Sequence, residues 1–322
     1  MQDFQDSINE IISRGIADMV YPSTAPELFS PIAYTLESGG KRLRPRLLLS
    51  AFAAFAPGRA LAEALPQALG LEIFHNFTLL HDDVMDNADI RRGRPTVHRK
   101  WNRNAAILSG DAMLTLATEF MADCKSEKLG EVLRLFNSTA MEIYEGQQLD
   151  MEFEDRDDVT VEEYMEMIRL KTSVLLGCAC RMGAFLAGAD SRACEAMSEY
   201  GTALGLAFQL RDDWLDSFGD PLEFGKEIGG DIVNEKKTWL LITALNESDG
   251  EVEDILREDL EPEERVRQVV RVYRRLNLEE RCNALVREYS EKAVGALKGL
   301  EMDGMLRDYF TELAISSASR TH

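Results

Sequence analysis

Cysteine is scarce in this sequence, and its placement argues against a disulfide framework. The cysteines are five, an odd number without a C-x-x-C pair: Cys124, Cys178, Cys180, Cys194 and Cys282. Such a set is typical of a reducing compartment, where disulfides are rare. We therefore expect a cytoplasmic protein whose cysteines are buried packing residues.

Basic residues are outnumbered, which limits the possible partners. Lysine and arginine total 36 against 57 aspartates and glutamates, so the formal net charge is −21. A field of this sign repels nucleic acid and anionic membranes. The chain has no run of 18 apolar residues and no basic stretch followed by an apolar one at its start. We expect no nucleic-acid partner and no transmembrane segment, and a phosphate-bearing substrate would need a local basic cluster or bound cations.

Alternating strand patterns and long Ser/Gly/Pro linkers are also absent. Apolar residues instead recur at three- and four-residue spacing, as in Tyr164, Ile168 and Leu175, which predicts helices throughout. Thr160 and Glu163 are spaced as a capping box at the start of one helix. With 45 % hydrophobic residues and only 9 prolines, the chain can bury a large core. The sequence predicts one all-α domain over residues 1–322.

The strongest local signal is a pair of D-D-x-x-D motifs. The first contains Asp82, Asp83 and Asp86, and the second contains Asp212 and Asp216. Residues four apart share a helix face, where like charges amid apolar residues are destabilising unless something offsets them. Mg²⁺ suits such hard oxygen ligands and bridges them to substrate phosphates. A single motif is commonly a salt-bridged surface face, but two copies amid apolar residues indicate a metal site.

Basic clusters accompany both acidic motifs. They are Lys41, Arg42 and Arg44 after a glycine pair, Arg91, Arg92 and Arg94 after the first motif, and Lys226, Lys236 and Lys237 after the second. Guanidinium and ammonium groups beside flexible backbone suit phosphate oxygens. Any one of these residues could belong to a solvated surface face, but the whole distribution is what a metal-plus-phosphate site requires.

These motifs, in this order and over nearly the whole chain, resemble the trans-isoprenyl diphosphate synthase family, which includes farnesyl and geranylgeranyl diphosphate synthases. The matching blocks are Gly39-Gly-Lys41-Arg-Leu-Arg44, Glu72-Ile-Phe-His75, Asp82-Asp-x-x-Asp86 with Arg91-Arg92, Gly146-Gln147-Gln-Leu-Asp150, Lys171-Thr172, Gln209 with Asp212-Asp-x-x-Asp216, Gly225-Lys226 with Gly230-Asp231, and Lys236-Lys-Thr238. The resemblance implies a helical bundle with a deep central cavity and a homodimer. It also implies head-to-tail condensation of isopentenyl diphosphate with dimethylallyl, geranyl or farnesyl diphosphate.

The resemblance further implies roles for individual residues. Mg²⁺ ions, about three per active site, would be held by Asp82, Asp86 and Asp212, with Asp83 and Asp216 as further members of the clusters. The residues implied to contact the allylic diphosphate are Arg91, Lys171 and Lys226, and those near the carbocation are Thr172, Gln209 and the Lys171 backbone. The residues implied to bind isopentenyl diphosphate are Lys41, Arg44, His75 and Arg92, with Lys236 and Arg320 as further substrate-binding candidates. Without the motif, His75 would be interpreted as an ordinary core histidine.

Product length depends, in the resembled family, on side chains just before the first aspartate motif, which form the floor of the tunnel for the growing tail. The eighth, fifth and fourth residues before Asp82 are Phe74, Phe77 and Thr78. The two phenylalanines lie roughly 12 and 7 Å from Asp82 along the helix axis. Their bulk predicts the C20 product geranylgeranyl diphosphate, with C15 farnesyl diphosphate as the alternative. The other interpretation is that both are core aromatics and that other helices set the depth.

Two other classes of protein remain open at this point. A terpene cyclase or a head-to-head condensing enzyme also uses aspartate motifs and Mg²⁺. A cyclase has no second diphosphate to bind, so this class is disfavoured by the basic set Lys41, Arg44, His75 and Arg92. A non-catalytic partner subunit tends to lose an aspartate or a lysine from these motifs, and none is missing here. Three glycines, Gly225, Gly229 and Gly230, make the segment 221–231 a candidate lid.

Overall fold

The computed structural model describes residues 1–219 and 228–319, and nearly all of these are helical. The helices are α1 (Gln2–Ala17), α2 (Pro26–Glu37), α3 (Leu43–Phe55), α4 (Leu65–Met85), α5 (Val97–Lys100), α6 (Arg103–Ala122), α7 (Ser126–Glu154), α8 (Val161–Ile168), α9 (Val174–Ala187), α10 (Ser191–Phe218), α11 (Gly230–Val233), α12 (Trp239–Glu247), α13 (Glu251–Arg257), α14 (Pro262–Arg275), α15 (Leu278–Ala296) and α16 (Gly304–Ser319). A 3₁₀ turn covers Leu61–Glu63, and a π-helical segment, Arg169–Ser173, joins α8 to α9. The predicted all-α class is confirmed.

Local sequence signals set several helix ends. The capping box predicted at α8 is formed: the Thr160 hydroxyl accepts from the Glu163 backbone N–H at 3.2 Å, and the Glu163 carboxylate accepts from the Thr160 N–H at 2.9 Å. Asn102 caps α6 by accepting from the backbone of Ala105 at 2.9 Å. Helix α9 ends before Gly188, whose φ of +94° lies in the region that favours glycine.

The described residues cluster into two compact units. Unit 1 comprises Met1–Asn137, Ala179–Cys194 and Glu301–Leu306, and unit 2 comprises the described residues of Ser138–Cys178, Glu195–Leu300 and Arg307–His322. The single domain over residues 1–322 stays a prediction.

Helix α4 is the central element of unit 1. It packs on α1, α3 and α6, and its side chains from Gln67 to Phe74 are all buried. Its approach to α6 is close, because a Cβ at Gly70 would lie 3.1 Å from the Ala117 carbonyl oxygen. Dense packing on several sides fixes the position of the C-terminal end of α4, where Asp82 lies.

Unit 2 has its own core. Helix α12 packs on α8, α14 and α15, and the largest fully buried side chains among these helices are those of Tyr164 and Tyr273. Leu210 of α10 is also fully buried in this core. Helices α8 and α10 are therefore fixed by packing in this core.

A small hairpin between α4 and α5 was not predicted. Strand β1 (Ile90–Arg91) pairs antiparallel with β2 (Arg94–Pro95), with Arg91 opposite Arg94. The connecting residues, Arg92 and Gly93, have φ of +52° and +72°, as tight two-residue turns require. The hairpin sends the neighbouring arginines Arg91 and Arg92 in different directions.

Two helical stretches are apolar and long enough to cross a membrane by length and composition alone. They are Arg103–Ala122 and Val161–Ala187, in which 33 % and 72 % of the most apolar window is buried inside the protein. A core helix passes the same test, so neither stretch is a clear membrane span within the part of the chain that the structure describes.

Candidate active site

The first aspartate motif lies at the C-terminal end of α4. Asp82 and Asp83 are in the last turn, and Asp86 is the C-cap, with its backbone N–H donating to the Asp82 carbonyl at 2.9 Å. The Asp83 side chain is 8 % exposed and that of Asp82 is 17 % exposed, whereas Asp86 is exposed. The three carboxylates thus range from buried to accessible.

Arg91 binds two of these carboxylates. Its Nε donates to Asp83 Oδ1 at 2.5 Å, and its Nη2 donates to Asp82 Oδ2 at 3.2 Å. Burial raises the pKa of Asp83, and the positive charge of Arg91 opposes this shift. Asp83 therefore serves first to hold Arg91, and Asp82 and Asp86 are the more accessible candidates for a metal.

Three residues predicted to bind isopentenyl diphosphate interact electrostatically in unit 1. Desolvation, together with the charges of Arg44, Arg92 and Arg91, holds the pKa of His75 well below its ordinary value, so the imidazole is neutral at pH 7. Burial lowers the pKa of Arg44 to about 10, with the Glu72 charge opposing and the Arg92 charge adding to the shift. Both arginines stay cationic, and the neutral histidine can donate or accept a hydrogen bond. Lys41 of the same predicted set has an exposed side chain.

The predicted glycine pair wraps around Arg92. The Arg92 Nη1 donates to the Gly39 carbonyl and, at 3.2 Å, to Ser38 Oγ. Gly40 has φ of +131°, and a Cβ there would lie 2.9 Å from Arg92 Cζ. A side chain at position 40 would therefore displace the guanidinium as well as strain the backbone.

Other cations of the basic clusters have structural partners. Arg42 Nη1 donates to Ser13 Oγ at 2.6 Å, and the Arg94 guanidinium lies 3.9 Å from the ring centroid of Tyr34. These contacts take Arg42 and Arg94 away from a phosphate-binding role.

Some predicted residues cannot be placed. Lys226, Gly225, Arg320 and residues 221–227 of the candidate lid lie outside the described residues.

Lys171 and Thr172 lie in the π-helical segment of unit 2. The segment is closed by an i→i+5 bond from the Val174 N–H to the Arg169 carbonyl, and π-helical turns are frequent at functional sites. The Lys171 Nζ lies 2.5 Å from Asp150 Oδ2, with both side chains largely buried. Asp150, which the sequence placed in a motif without a role, therefore orients Lys171.

Two glycines let neighbouring helices approach this segment. A Cβ at Gly146 of α7 would lie 2.3 Å from the Lys171 backbone nitrogen, and a Cβ at Gly205 of α10 would lie 2.6 Å from Ser173 Cα. Real Cβ contacts are never this short, so both positions require glycine. The π-helical segment is thus held by close backbone contact on two sides.

A chain of hydrogen bonds runs from Thr172 into the core of unit 2. The Thr172 hydroxyl donates to Gln209 Oε1 at 3.2 Å, and Gln209 Nε2 donates to Asp213 Oδ1 at 3.0 Å. The other oxygen of Asp213 accepts from the Tyr164 hydroxyl. Because an amide nitrogen can only donate, Asp213 fixes the Gln209 oxygen toward Thr172.

The second aspartate motif has two different faces. Asp213 is buried, whereas Asp212 and Asp216 are half-buried on the opposite side of α10. Asp216 Oδ2 accepts from the Asp231 backbone N–H at 3.0 Å. Burial and the Asp231 charge raise the pKa of both Asp213 and Asp216, and the charge of Lys236 opposes this. Lys236 is thus close enough to influence these carboxylates electrostatically, and its role in substrate binding stays a prediction.

The aromatic residues predicted to limit product length form a cluster. The Phe74 ring is 5.5 Å from Phe77 and 5.2 Å edge-on from Phe136 of α7, measured between centroids. Phe77 also meets His81 edge-on at 4.8 Å, and the Thr78 hydroxyl donates to the His75 carbonyl at 2.8 Å. The phenylalanines are buried, so Phe77 is held by a ring on either side.

The donor chemistry of both motifs fits Mg²⁺. All candidate ligands are carboxylates, the hard oxygen donors that Mg²⁺ prefers, and a divalent cation would relieve the repulsion that raises the pKa of Asp216. Within residues 1–219 and 228–319, no three His, Cys, Asp or Glu side chains form a ready-made metal cage. Mg²⁺ usually binds one or two carboxylates together with substrate phosphates, so this arrangement fits it.

The sequence did not single out several residues of the site. Tyr164 and Phe136 carry no motif and reach the site through contacts over 49 and 62 residues of chain. Asp213 could have been found by helix geometry, because the second aspartate of D-D-x-x-D points away from the first and the last.

Comparison with known proteins adds to this geometry. The fold is that of an all-α protein, and the polyprenyl synthetase family matches residues 25–274. The geranylgeranyl diphosphate synthase of Methanosarcina mazei is 44 % identical over 231 residues, 71 % of this chain and 71 % of that protein. A crystal structure of a geranylgeranyl pyrophosphate synthase has a TM-score of 0.93 at 39 % identity and covers 99 % of both chains. The geranylgeranyl pyrophosphate synthase of Corynebacterium glutamicum, whose crystal structure is a complex with isoprenyl diphosphate and magnesium, has a TM-score of 0.83 at 28 % identity, with 99 % of this chain and 98 % of that one covered.

The chain therefore belongs to the polyprenyl synthetase family. It is a prenyltransferase of isoprenoid synthesis.

Proposed function

We propose that this chain condenses isopentenyl diphosphate with an allylic diphosphate, head to tail and in the trans (E) configuration, releasing pyrophosphate. The observation that carries the proposal is the presence of two separate cation sets suited to diphosphates. In unit 1, Arg44 and Arg92 with neutral His75 form one set, and Arg91 beside Asp82 and Asp83 supplies a second. In unit 2, Lys171 beside Asp150 is a further cation of this kind. A protein with two diphosphate substrates needs both sets.

The reaction requires charge stabilisation more than a protein nucleophile. The allylic C–O bond breaks to give a carbocation and pyrophosphate, and Arg91, Lys171 and Lys226 hold the leaving group. The double bond of isopentenyl diphosphate attacks the cation, a C–C bond forms, and the released pyrophosphate takes the proton lost from the new cation. The oxygens of Thr172 and Gln209, oriented by Asp213, face the positive carbon. Holding both substrates in register supplies much of the rate.

Mg²⁺ is the proposed cofactor. When bound, it neutralises charge on the leaving diphosphate. Asp82, Asp86 and Asp212 are the proposed ligands, with Asp83 and Asp216 supporting them.

Incubation of the full chain with Mg²⁺, labelled isopentenyl diphosphate and each allylic primer tests the proposal. Chain-length analysis of the dephosphorylated products should show condensation that EDTA abolishes and added Mg²⁺ restores. A folded protein that condenses no primer would instead favour a terpene cyclase or a non-catalytic subunit.

The proposed main product is the C20 geranylgeranyl diphosphate. The Phe74–Phe77–Phe136 cluster supports a short tail path, and the names of the relatives above favour C20 over the C15 alternative. A predominant C15 alcohol would keep the reaction and overturn the length.

We also propose that two copies associate. Helix α6 is apolar yet only 33 % of its most apolar window is buried, and it exposes the adjacent Ile107 and Leu108 by 43 % and 59 %. Covering such a patch with a second copy removes apolar surface from water.

A cytoplasmic location and a single domain over residues 1–322 complete the proposal. Four of the cysteines are buried and Cys124 is half-buried, which is typical of packing residues in a reducing compartment. The family match spans residues assigned to both units, which supports one domain.

A further inference from the structure

Glu72 is a buried carboxylate that the reaction chemistry above does not use. It lies in α4 with 4 % exposure, one turn before His75 and Asn76. One oxygen, Oε1, accepts from Asn76 Nδ2 at 3.1 Å, and among the described residues Oε2 is buried without a hydrogen-bond partner. A buried carboxylate is unfavourable unless nearby charges compensate it.

Compensation comes from the two arginines of the second diphosphate site. The negative charge of Glu72 raises the pKa of Arg44 and of Arg92, against the burial that lowers both. The charge of Arg92 lowers the pKa of Arg44, and the charges of Arg91 and Arg42 lower the pKa of Arg92. Glu72 therefore offsets the mutual repulsion of these cations.

Asn76 links the carboxylate to Arg92. Its Nδ2 donates both to the Glu72 carbonyl at 2.8 Å and to Glu72 Oε1 at 3.1 Å. Because that nitrogen faces Glu72, the amide oxygen faces Arg92 and accepts from its Nη1 at 3.5 Å. On its other side the same Nη1 bonds to Ser38 and Gly39.

We propose that Glu72 is a positioning residue of the isopentenyl diphosphate site, which holds Arg44 by its charge and Arg92 through the amide of Asn76. This inference rests on the proposed function, since it takes the diphosphate of isopentenyl diphosphate as the ligand. Two arginines, one glutamate and a neutral histidine sum to a charge of +1, so the set still attracts a diphosphate while the arginines keep a fixed geometry.

Two effects of removing the Glu72 charge oppose each other. A more positive site would by itself bind a diphosphate more tightly, and this would lower the KM for isopentenyl diphosphate. Loss of the counter-charge would also let Arg44 and Arg92 move apart, which weakens bidentate contacts that depend on geometry. We expect the second effect to dominate, because Arg44 is half-buried with its Nε shielded from solvent and without a hydrogen-bond partner among the described residues, and it would lose the charge that opposes its desolvation.

Steady-state kinetics of the full chain, with isopentenyl diphosphate and geranyl diphosphate varied separately, test the proposal. Glu72→Gln keeps the size and removes the charge, and it should raise the KM for isopentenyl diphosphate about tenfold. The KM for geranyl diphosphate should change less than about twofold, since Glu72 and Asp82 lie in the same helix at a separation of roughly 15 Å along its axis. Gln67→Met is the matched control: Gln67 is equally buried in α4 and bonds to the carbonyl of Asp123 at 2.8 Å. This control should lower Tm and leave both KM values in place.

Two further variants keep the test decisive if Glu72→Gln does not fold. Glu72→Asp retains the charge and should keep the KM for isopentenyl diphosphate within about threefold of wild type, and Asn76→Leu should raise it while Glu72 remains. The positioning role would be overturned if Glu72→Gln changed both KM values equally, or if it lowered the KM for isopentenyl diphosphate. If the wild-type chain condensed no substrates, the proposed function itself would fail, a different outcome.

Discussion

His75 is neutral because of its surroundings, and this makes stability depend on pH. Burial and three arginines hold its folded-state pKa well below its ordinary value, which is about 6.5. Below that pH the unfolded chain binds a proton that the folded chain does not, so stability falls as pH falls and is fully present above it.

The prediction is that His75→Gln flattens the pH dependence. Between pH 7 and pH 5 the free energy of unfolding should drop less than in wild type, by about 1–2 kcal/mol. Urea unfolding at pH 5, 6 and 7 measures this difference. Thr78→Val, one turn along the same helix and without a titratable group, should keep the wild-type slope; equal slopes in wild type and His75→Gln would refute the assignment.

Phe77 carries the prediction for product length. Phe77→Ala opens space between the Phe74 and His81 rings, so products longer than C20 should appear. Chain-length analysis measures the distribution, and Phe77→Leu gives a milder variant if the buried truncation, which typically costs about 3–5 kcal/mol, unfolds the protein. As a control, Phe185→Ala removes a half-buried ring of α9 and should leave the product distribution as in wild type. If folded Phe77→Ala also gives the wild-type product distribution, other helices set the depth of the tunnel.

Among single residues, the sequence predicted those that belong to motifs and missed those that hold the motif residues in place. Arg44 and Gln209 could be found because the chemistry selects their type and spacing. Tyr164 could not, because its bond to Asp213 spans 49 residues and leaves no local pattern. The sequence also overassigned Arg42, whose hydrogen bond to Ser13 arises from the packing of α1 near α3.

Among the elements, the π-helical segment has the sharpest requirement. Gly146→Ala would place a Cβ 2.3 Å from the Lys171 backbone nitrogen, so α7 must shift or the segment must deform. We expect lower Tm and a kcat reduced at least about tenfold, since misplacing catalytic groups by about 1 Å has large effects on rate.

A second glycine of α7 gives the control for this change. Gly130→Ala meets only the end of Arg134, at 3.6 Å, and should stabilise the helix by about 0.5–1 kcal/mol with kcat unchanged. Thermal melts and initial rates of both variants measure these effects. If Gly146→Ala kept the wild-type Tm and kcat, the close approach of α7 to the π-helical segment would not be needed.

Helices were predictable from periodicity, but two irregular elements were not. The β1–β2 hairpin has two residues per strand, too few for alternation to show. The π-helical segment has the same apolar spacing as its neighbours, and only the contact with Gly146 and Gly205 reveals why the backbone departs from the α-helix there.

For the whole molecule, the apolar patch on α6 predicts the oligomeric state. Leu108→Lys puts a charge on a side chain that is 59 % exposed in one copy, and it should convert a dimer to a monomer at micromolar concentration. Analytical ultracentrifugation measures the mass. Ile315→Lys, at 58 % exposure on α16, should stay dimeric, and a monomeric wild-type chain would rule the dimer out.

The π-helical segment also limits which length changes this chain can survive. The π-helical turn closes an i→i+5 bond over about the same rotation that an α-helix covers with one residue fewer. Deleting one residue between 169 and 173 would therefore let α8 run smoothly into α9 with little rotation of α9, and would change the direction of the side chains within the segment itself. Local backbone geometry would become more regular, yet Lys171 would turn away from Asp150 and Thr172 from Gln209. A deletion that improves the helix would therefore separate the partners that the irregular turn brings together, and natural variants should keep the number of residues in this stretch even where their identities change.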